Sequence, residues 1–114
     1  MTNAERRFQI TLVTRGTEIS FPCRASEFIL EAALDYGLDL PYSCLRGWCI
    51  TCAGRLLSGK VDQSASVRFF NVDAAEKFVL LCTARPTSDL RIETDQKETM
   101  RRHRIARNLP VPRG

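Results

Sequence analysis

Four cysteines of this chain have the residue type and the spacing of a metal site. Cys44, Cys49 and Cys52 are spaced C-x4-C-x2-C, and Cys82 follows after 29 intervening residues. Soft thiolate ligands suit iron–sulfur clusters and zinc. Three cysteines within nine residues make a poor disulfide framework and a good metal-binding loop. The sequence therefore predicts a thiolate metal site and a reducing, cytoplasm-like compartment.

The spacing of the cysteines favours iron–sulfur ligation over zinc. Zinc sites with four cysteines favour two separated C-x2-C pairs, and only Cys49 and Cys52 form such a pair. A zinc site and unmetallated cysteines remain the alternatives. His103 is the only histidine, and it is assigned to the C-terminal segment rather than to a metal site because arginines flank it.

The segments around the cysteines alternate between strand and helix patterns. Residues 8–13 alternate apolar and polar side chains, as a half-buried strand does. An apolar stripe with helical spacing follows Ser26, a plausible N-cap, and Gly37 ends it. Further strands are predicted at 18–21, 55–58, 78–83 and 90–93, with an irregular loop over 38–52 and a short helix within 65–76. At 114 residues the chain is predicted to form one small α+β fold.

The residues around the cysteines also resemble a known family. The matching segments are Asp39-Leu40-Pro41-Tyr42-Ser43-Cys44, Cys52-Ala53-Gly54, Asp62-Gln63-Ser64, Val79-Leu80-Leu81-Cys82-Thr83 and Pro86-Thr87-Ser88-Asp89. Over residues 7–98 they resemble the plant-type [2Fe–2S] ferredoxins of chloroplasts and cyanobacteria, with C-terminally extended variants as the suggested subgroup. The resemblance implies a β-grasp fold, with a mixed sheet, one main helix and an irregular cluster-binding loop.

The resemblance also implies a cofactor and a function. One [2Fe–2S] cluster per chain is expected, with Cys44 and Cys49 on the outer iron and Cys52 and Cys82 on the inner one. Such a protein is a one-electron carrier with a potential of about −400 mV, and not an enzyme. A dedicated donor to an oxygenase or a di-iron enzyme is a close alternative. A β-grasp interaction module, or a redox-sensing module with a structural cluster, is the alternative from another class.

The apolar segments and the N-terminus of the sequence predict where the protein is located in the cell. No segment approaches the roughly 20 apolar residues of a membrane span. The N-terminus lacks a leader pattern, so a bacterial cytoplasm of cyanobacterial type is expected, or the plastid stroma if the chain is processed.

The fifth cysteine, Cys23, falls at an apolar strand position when the chain is aligned with the family that it resembles. It is predicted to be a buried structural residue, with a redox-active thiol as the alternative.

The charge of the chain is concentrated at its C-terminus. The first 96 residues carry 11 Lys/Arg and 12 Asp/Glu, whereas residues 97–114 carry six Lys/Arg and one Glu. A ferredoxin domain over residues 1–98 and a basic extension over 99–114 are therefore predicted. The extension has helical propensity but a thin apolar content, so we expect an electrostatic contact rather than a structural brace. Nothing in the extension indicates a protein fold that binds nucleic acid, so no nucleic-acid partner is expected.

Several residues depart from the family at the positions that contact partners. Trp48 lies in the cluster loop, where it is either a docking anchor or a shield that excludes water. The family's exposed aromatic corresponds to Arg68, with Phe69 beside it, and its acidic C-terminal contact corresponds to Lys97. The tentative docking residues are Trp48, Arg68, Phe69, Lys97, Glu98, Arg101 and Arg102. A monomer is expected that serves redox proteins with an acidic docking face and couples weakly to ferredoxin–NADP reductase.

Overall fold

The computed structural model describes residues 6–38, 52–66 and 69–109. The strands are β1 Arg7–Thr14, β2 Thr17–Arg24, β3 Ala53–Ser58, β4 Val61–Asp62, β5 Phe78–Leu80, β6 Arg85–Pro86 and β7 Leu90–Glu93. The helices are α1 Ile29–Asp35, α2 Asn71–Ala75 and α3 Lys97–Ala106. None of these helices is long and apolar enough to cross a membrane.

A mixed five-stranded sheet forms the centre of the molecule, in the order β2-β1-β7-β3-β5. The hairpin of β1 and β2 is antiparallel, and its tight turn places Arg15 and Gly16 at positive φ. β1 runs parallel to β7, whereas β3 runs antiparallel to both β7 and β5. β4 and β6 form a separate two-stranded sheet. The α+β prediction is confirmed, and the mixed sheet is that of the β-grasp fold.

The alternating pattern of β1 determines which face of the sheet is buried. Phe8, Ile10 and Leu12 are buried, whereas the residues between them are exposed or half-buried. On α1, Ile29 and Leu30 are fully buried. The helix begins at Ile29, with Phe28 as its N-cap and no side-chain cap hydrogen bond, so the prediction that Ser26 caps it is wrong. Two carbonyls outside the helix replace the missing cap, because the Ile29 N–H donates to Ala84 and the Leu30 N–H donates to Leu81, both at 2.9 Å.

The C-terminal segment is part of the folded body. α3 contains Met100 and Arg104, and both side chains are fully buried. The prediction that this segment makes only electrostatic contacts is therefore wrong for residues 97–106. The buried stripe consists of one apolar residue and one arginine four positions apart, so the helix lacks the apolar periodicity that predicts packing. An arginine counts as solvent-facing in any hydropathy pattern, although its stem is apolar.

Asp73 on α2 is the acceptor that allows Arg104 to be buried. Its carboxylate is fully buried and accepts hydrogen bonds from Arg104 Nη2 at 3.0 Å and from the Phe70 backbone N–H at 2.9 Å. His103 Nε2 lies 2.8 Å from the second carboxylate oxygen. The His103 ring packs against Phe78, with 5.0 Å between the ring centroids. Charge pairing and hydrogen bonding together offset the cost of placing these groups in the interior.

A matched pair of substitutions on α3 tests its structural role. Met100→Ala should lower the free energy of unfolding by about 2–4 kcal/mol, because it removes a fully buried side chain. Ile105→Ala is the control, because Ile105 lies on the same helix with 60% of its surface exposed, and its effect should stay within about 0.5 kcal/mol. Denaturant unfolding of both variants measures the difference, and equal effects would show that α3 does not pack as described.

Candidate metal centre

Two of the predicted ligands meet at the ends of two paired strands. β3 begins directly after Cys52, and β5 ends two residues before Cys82. Because Ala53 pairs with Leu80, the Leu81 N–H donates to the Cys52 carbonyl at 3.2 Å. The strand pairing therefore determines how closely the two cysteines approach each other.

The geometry of the two thiols fits a shared metal ion. Cys52 Sγ and Cys82 Sγ are 3.2 Å apart, and both residues are buried. This separation is well beyond the roughly 2.05 Å of a disulfide bond. Two thiolates bound tetrahedrally at about 2.3 Å lie about 3.8 Å apart, so a small side-chain adjustment suffices. The chemistry of this donor pair suits an iron–sulfur cluster.

The remaining predicted cluster-loop residues lie outside the described part of the chain. These are Cys44, Trp48 and Cys49, and the docking candidate Arg68 also falls there. Within residues 6–38, 52–66 and 69–109, no group of three or more His, Cys, Asp or Glu side chains is placed so that it could bind a metal ion. His103 lies on α3 and contacts Asp73, as described above.

Gln63 holds the backbone that leads to Cys82. Its side-chain oxygen accepts a hydrogen bond from the Leu80 N–H at 2.6 Å, and its amide nitrogen donates to the Leu80 carbonyl at 3.4 Å. β5 is the last strand of the sheet. The Gln63 amide therefore takes the place of a further strand along this edge. Gln63 belongs to the family motif Asp62-Gln63-Ser64, but no local pattern of the sequence predicts that its side chain contacts Leu80.

Further contacts fix the residues on both sides of Cys82. The Ser66 hydroxyl lies 2.6 Å from the Thr83 hydroxyl and accepts from the Gln63 amide at 3.1 Å. On the other side, the Leu30 N–H of α1 donates to the Leu81 carbonyl at 2.9 Å. These contacts hold the Cys82 segment to the turn at residues 63–66 and to α1, which limits the movement of its thiol.

Gly54 permits the close strand packing beside Cys52. A Cβ atom there would lie 2.8 Å from Ile92 Cγ2 and 3.2 Å from the Glu93 carbonyl oxygen. Any side chain at this position would therefore push β3 away from β7. Because Gly54 is two residues from Cys52, such a shift would also move the thiol pair.

The Cys23 thiol has a structural environment. The residue is buried on β2, and its Sγ lies 3.5 Å from the carbonyl oxygens of Arg24 and Glu27. Burial, with a smaller contribution from the Glu27 charge, raises the pKa of Cys23 to about 12. A thiol that stays protonated is a poor nucleophile, so the prediction of a structural role is supported.

The described docking candidates fall into two groups. Phe69 is half-buried and packs against the core, so it is not the freely exposed aromatic of the family. Glu98, Arg101 and Arg102 are exposed on α3, and Lys97 is half-buried at its first turn. The Gln96 N–H donates to the Ala53 carbonyl at 3.1 Å. This bond places the start of α3 beside the strand that follows Cys52.

Comparison with known proteins agrees with this geometry. The profile of the 2Fe-2S iron–sulfur cluster binding domain matches residues 13–87. Ferredoxin-2 of Synechococcus sp. is 39% identical over 82% of this chain and 89% of its own length. Reductase component 2 of terephthalate 1,2-dioxygenase from Comamonas sp. is 41% identical over 67% of this chain, but over only 23% of its own length. The crystal structure of pectocin M2 superposes with a TM-score of 0.73 and 33% identity, covering 82% of this chain and 34% of that one.

The fold, the thiol pair and these relatives define a [2Fe–2S] electron carrier, which passes electrons to redox enzymes and is not itself an enzyme. The chain belongs to the plant-type [2Fe–2S] ferredoxin family. The predictions of the family, the fold and the cofactor are thereby confirmed.

The raised pKa of Cys23 gives a prediction on thiol reactivity and on stability. In the folded protein, iodoacetamide should leave Cys23 unmodified at pH 8, whereas denaturation should expose it to alkylation, as mass spectrometry of the peptide would show. Between pH 9 and about 12 the unfolded thiol loses its proton while the folded one keeps it. The contribution of Cys23 to stability should therefore fall as the pH rises through this range. Rapid alkylation of the folded protein at pH 8 would contradict the burial.

Proposed function

We propose that Cys44, Cys49, Cys52 and Cys82 hold the [2Fe–2S] cluster and that the protein delivers electrons to a partner with an acidic docking face. The observation that carries the ligand assignment is the 3.2 Å approach of the buried Cys52 and Cys82 thiols. When bound, the cluster supplies a reversible one-electron centre. Burial of the two thiols keeps water from the sulfur atoms on this side of the site.

The choice of partner rests on the outer face of α3. Arg101 and Arg102 are exposed there, whereas Met100 and Arg104 turn inward. The hydrogen bond from Gln96 to Ala53 connects this helix to the strand that begins at Cys52. A protein bound to the basic face therefore docks near the inner ligands, and its complementary surface is acidic.

Other docking residues complete this proposal. Lys97 and Glu98 form the first turn of α3 and border the proposed contact. Trp48 and Arg68 are proposed to contact the same partner, on the basis of their positions in the sequence. Phe69 contributes through its half-buried ring rather than as an exposed aromatic. Coupling to ferredoxin–NADP reductase is proposed to be weak, because a basic face repels the basic surface that acidic ferredoxins recognise.

The organisation of the chain is part of the same proposal. We assign residues 1–98 to the ferredoxin domain and residues 99–114 to a C-terminal extension whose described part folds onto that domain. The protein is proposed to act as a monomer in a bacterial cytoplasm of cyanobacterial type or in the plastid stroma. The similarity to the Synechococcus ferredoxin supports this location.

A dedicated donor to an oxygenase is the second candidate function. It is favoured by the similarity to a dioxygenase reductase component of Comamonas sp.. This chain spans 23% of that reductase, so it matches one part of a larger protein. In this proposal the chain is a separate electron carrier that delivers electrons to an oxygenase, as we infer for the matching part of the reductase.

Substitution of single cysteines tests the ligand assignment. The purified protein should contain about two irons and two acid-labile sulfides per chain. Cys44→Ser, Cys49→Ser, Cys52→Ser and Cys82→Ser should each lose or destabilise the cluster, as iron and sulfide analysis would show. Cys23→Ser is the control and should retain both. One zinc ion per chain without labile sulfide would overturn the assignment.

The role of Gln63 in positioning Cys82 can be tested with two glutamine substitutions. Gln63→Leu removes both hydrogen bonds to Leu80 and should speed the loss of the cluster by about tenfold or more, because two buried backbone groups lose their partner. Gln9→Leu is the control on the exposed side of β1. Bleaching of the visible absorbance and the EPR spectrum of the reduced cluster report the change. Identical rates and spectra for both variants would assign Gln63 no positioning role.

Charge reversal on α3 tests the choice of partner. The double variant Arg101→Glu/Arg102→Glu should raise the rate of electron exchange with ferredoxin–NADP reductase by about tenfold at low ionic strength, and high salt should abolish the gain. The control Arg7→Glu/Arg24→Glu changes the net charge equally on the exposed ends of β1 and β2. Stopped-flow rates compare the two. An equal gain in both variants would mean that only net charge matters and that α3 is not the docking face.

A further inference from the structure

An apolar groove lies between α2 and the segment that runs from β3 to β4. Its volume is about 320 Å³, and its apolar lining includes Leu56, Val61 and Phe69. The two charged side chains in its lining are Lys60 and Lys77. The described lining contains no carboxylate, so the groove combines an apolar interior with a positive rim.

The backbone holds both lysines in place. The Lys60 N–H donates to the Ser88 hydroxyl at 2.9 Å, and its carbonyl accepts from Thr87. Lys77 adopts a left-handed conformation with φ of 68°, and its carbonyl accepts the Leu56 N–H at 2.6 Å. A non-glycine residue held in this region indicates a backbone fixed by its surroundings. The backbone positions of the two lysines therefore keep a defined spacing across the groove, and their flexible side chains extend from these positions at its rim.

The acidic side chains next to the lining residues in sequence are already engaged, because Asp62 accepts from the Ser64 N–H at 2.9 Å and Asp73 pairs with Arg104. Glu76 precedes Lys77 in sequence, but its carboxylate pairs with Arg55 at 3.5 Å and with Arg107 at 3.2 Å. Both lysines are exposed. They remain available to a negatively charged group that arrives from outside.

The groove is adjacent to the strand that leads to Cys82. Val79 lines it and lies three residues before that cysteine. Gln63 also lines it, and its side chain makes the two hydrogen bonds to Leu80. An occupant of the groove therefore sits against the residues that position an inner ligand.

We propose that this groove receives an apolar side chain from an acidic segment of the redox partner, with carboxylates beside that side chain meeting Lys60 and Lys77. The inference rests on the proposed function, because it assumes that the protein docks with partner proteins. The volume lies at the low end for small-molecule sites and suits a single large side chain. Side chains anchored in such pockets dominate binding at many interfaces. The charge of the rim selects an acidic segment.

A defined peptide serves as the probe. It is a capped hexapeptide with one phenylalanine flanked by glutamates, titrated into the ¹⁵N-labelled protein with its cluster bound. We expect weak binding, with a dissociation constant of about 1 mM, and NMR shifts at the amides of Leu56, Ala74 and Lys77. Peptides with lysines in place of the glutamates, or alanine in place of the phenylalanine, should not produce these shifts.

Two alanines on α2 provide a matched pair of variants. Both residues are exposed, but Ala74 lines the groove and its neighbour Ala75 does not. Ala74→Phe should fill the groove and weaken peptide binding by about tenfold, whereas Ala75→Phe should change it by less than about twofold. The double variant Lys60→Gln/Lys77→Gln should remove the dependence of binding on salt. Melting temperatures near that of the parent confirm that the variants fold.

Each alternative outcome overturns the inference. Equal binding to the Ala74→Phe and Ala75→Phe variants would place the peptide elsewhere. Tighter binding of octanoate at the same amides, in competition with the peptide, would identify a site for small anionic amphiphiles. The result is independent of the ligand assignment, because retention of iron in the cysteine variants would refute only that assignment, whereas the peptide shifts report the groove alone.

Discussion

The antiparallel pairing of β3 with β5 is the constraint on which the metal centre depends. It brings the residue before β3 and the segment after β5 to the same end of the sheet, so that Cys52 and Cys82 face each other at 3.2 Å. The other contacts around the centre preserve this pairing. Gly54 allows β3 to lie close to β7, and Gln63 occupies the open edge of β5. The sheet therefore keeps the two thiols in place.

The buried carboxylate of Asp73 has a comparable role for the C-terminal part of the chain. It joins α2 to α3 through its ion pair with Arg104 and its polar contact with His103. Removing one partner of a buried ion pair costs about 3–5 kcal/mol, because the remaining charge has no compensation. The pair also specifies orientation, since it is satisfied in only one rotation of α3 about its axis.

The sequence predicted the parts of this structure that depend on local pattern. The alternation over residues 8–13 identified β1, and the cysteine spacing with its flanking motifs identified the family. The burial of Arg104 could not be predicted, because its acceptor Asp73 is 31 positions away and no local pattern indicates that the two residues meet. The contact between Gln63 and Leu80 spans 17 positions and could not be predicted for the same reason. Non-local polar contacts require the folded arrangement before they can be recognised.

The ten residues of α3 divide their roles by helical periodicity. Met100 and Arg104 are four positions apart and face inward, whereas Arg101, Arg102 and Ile105 face outward. Mutation can therefore alter the outward charges one at a time while the inward pair continues to hold the helix. On the proposed docking face, substitutions of the outward residues can therefore change the preferred electron acceptor without altering the buried contacts of the helix.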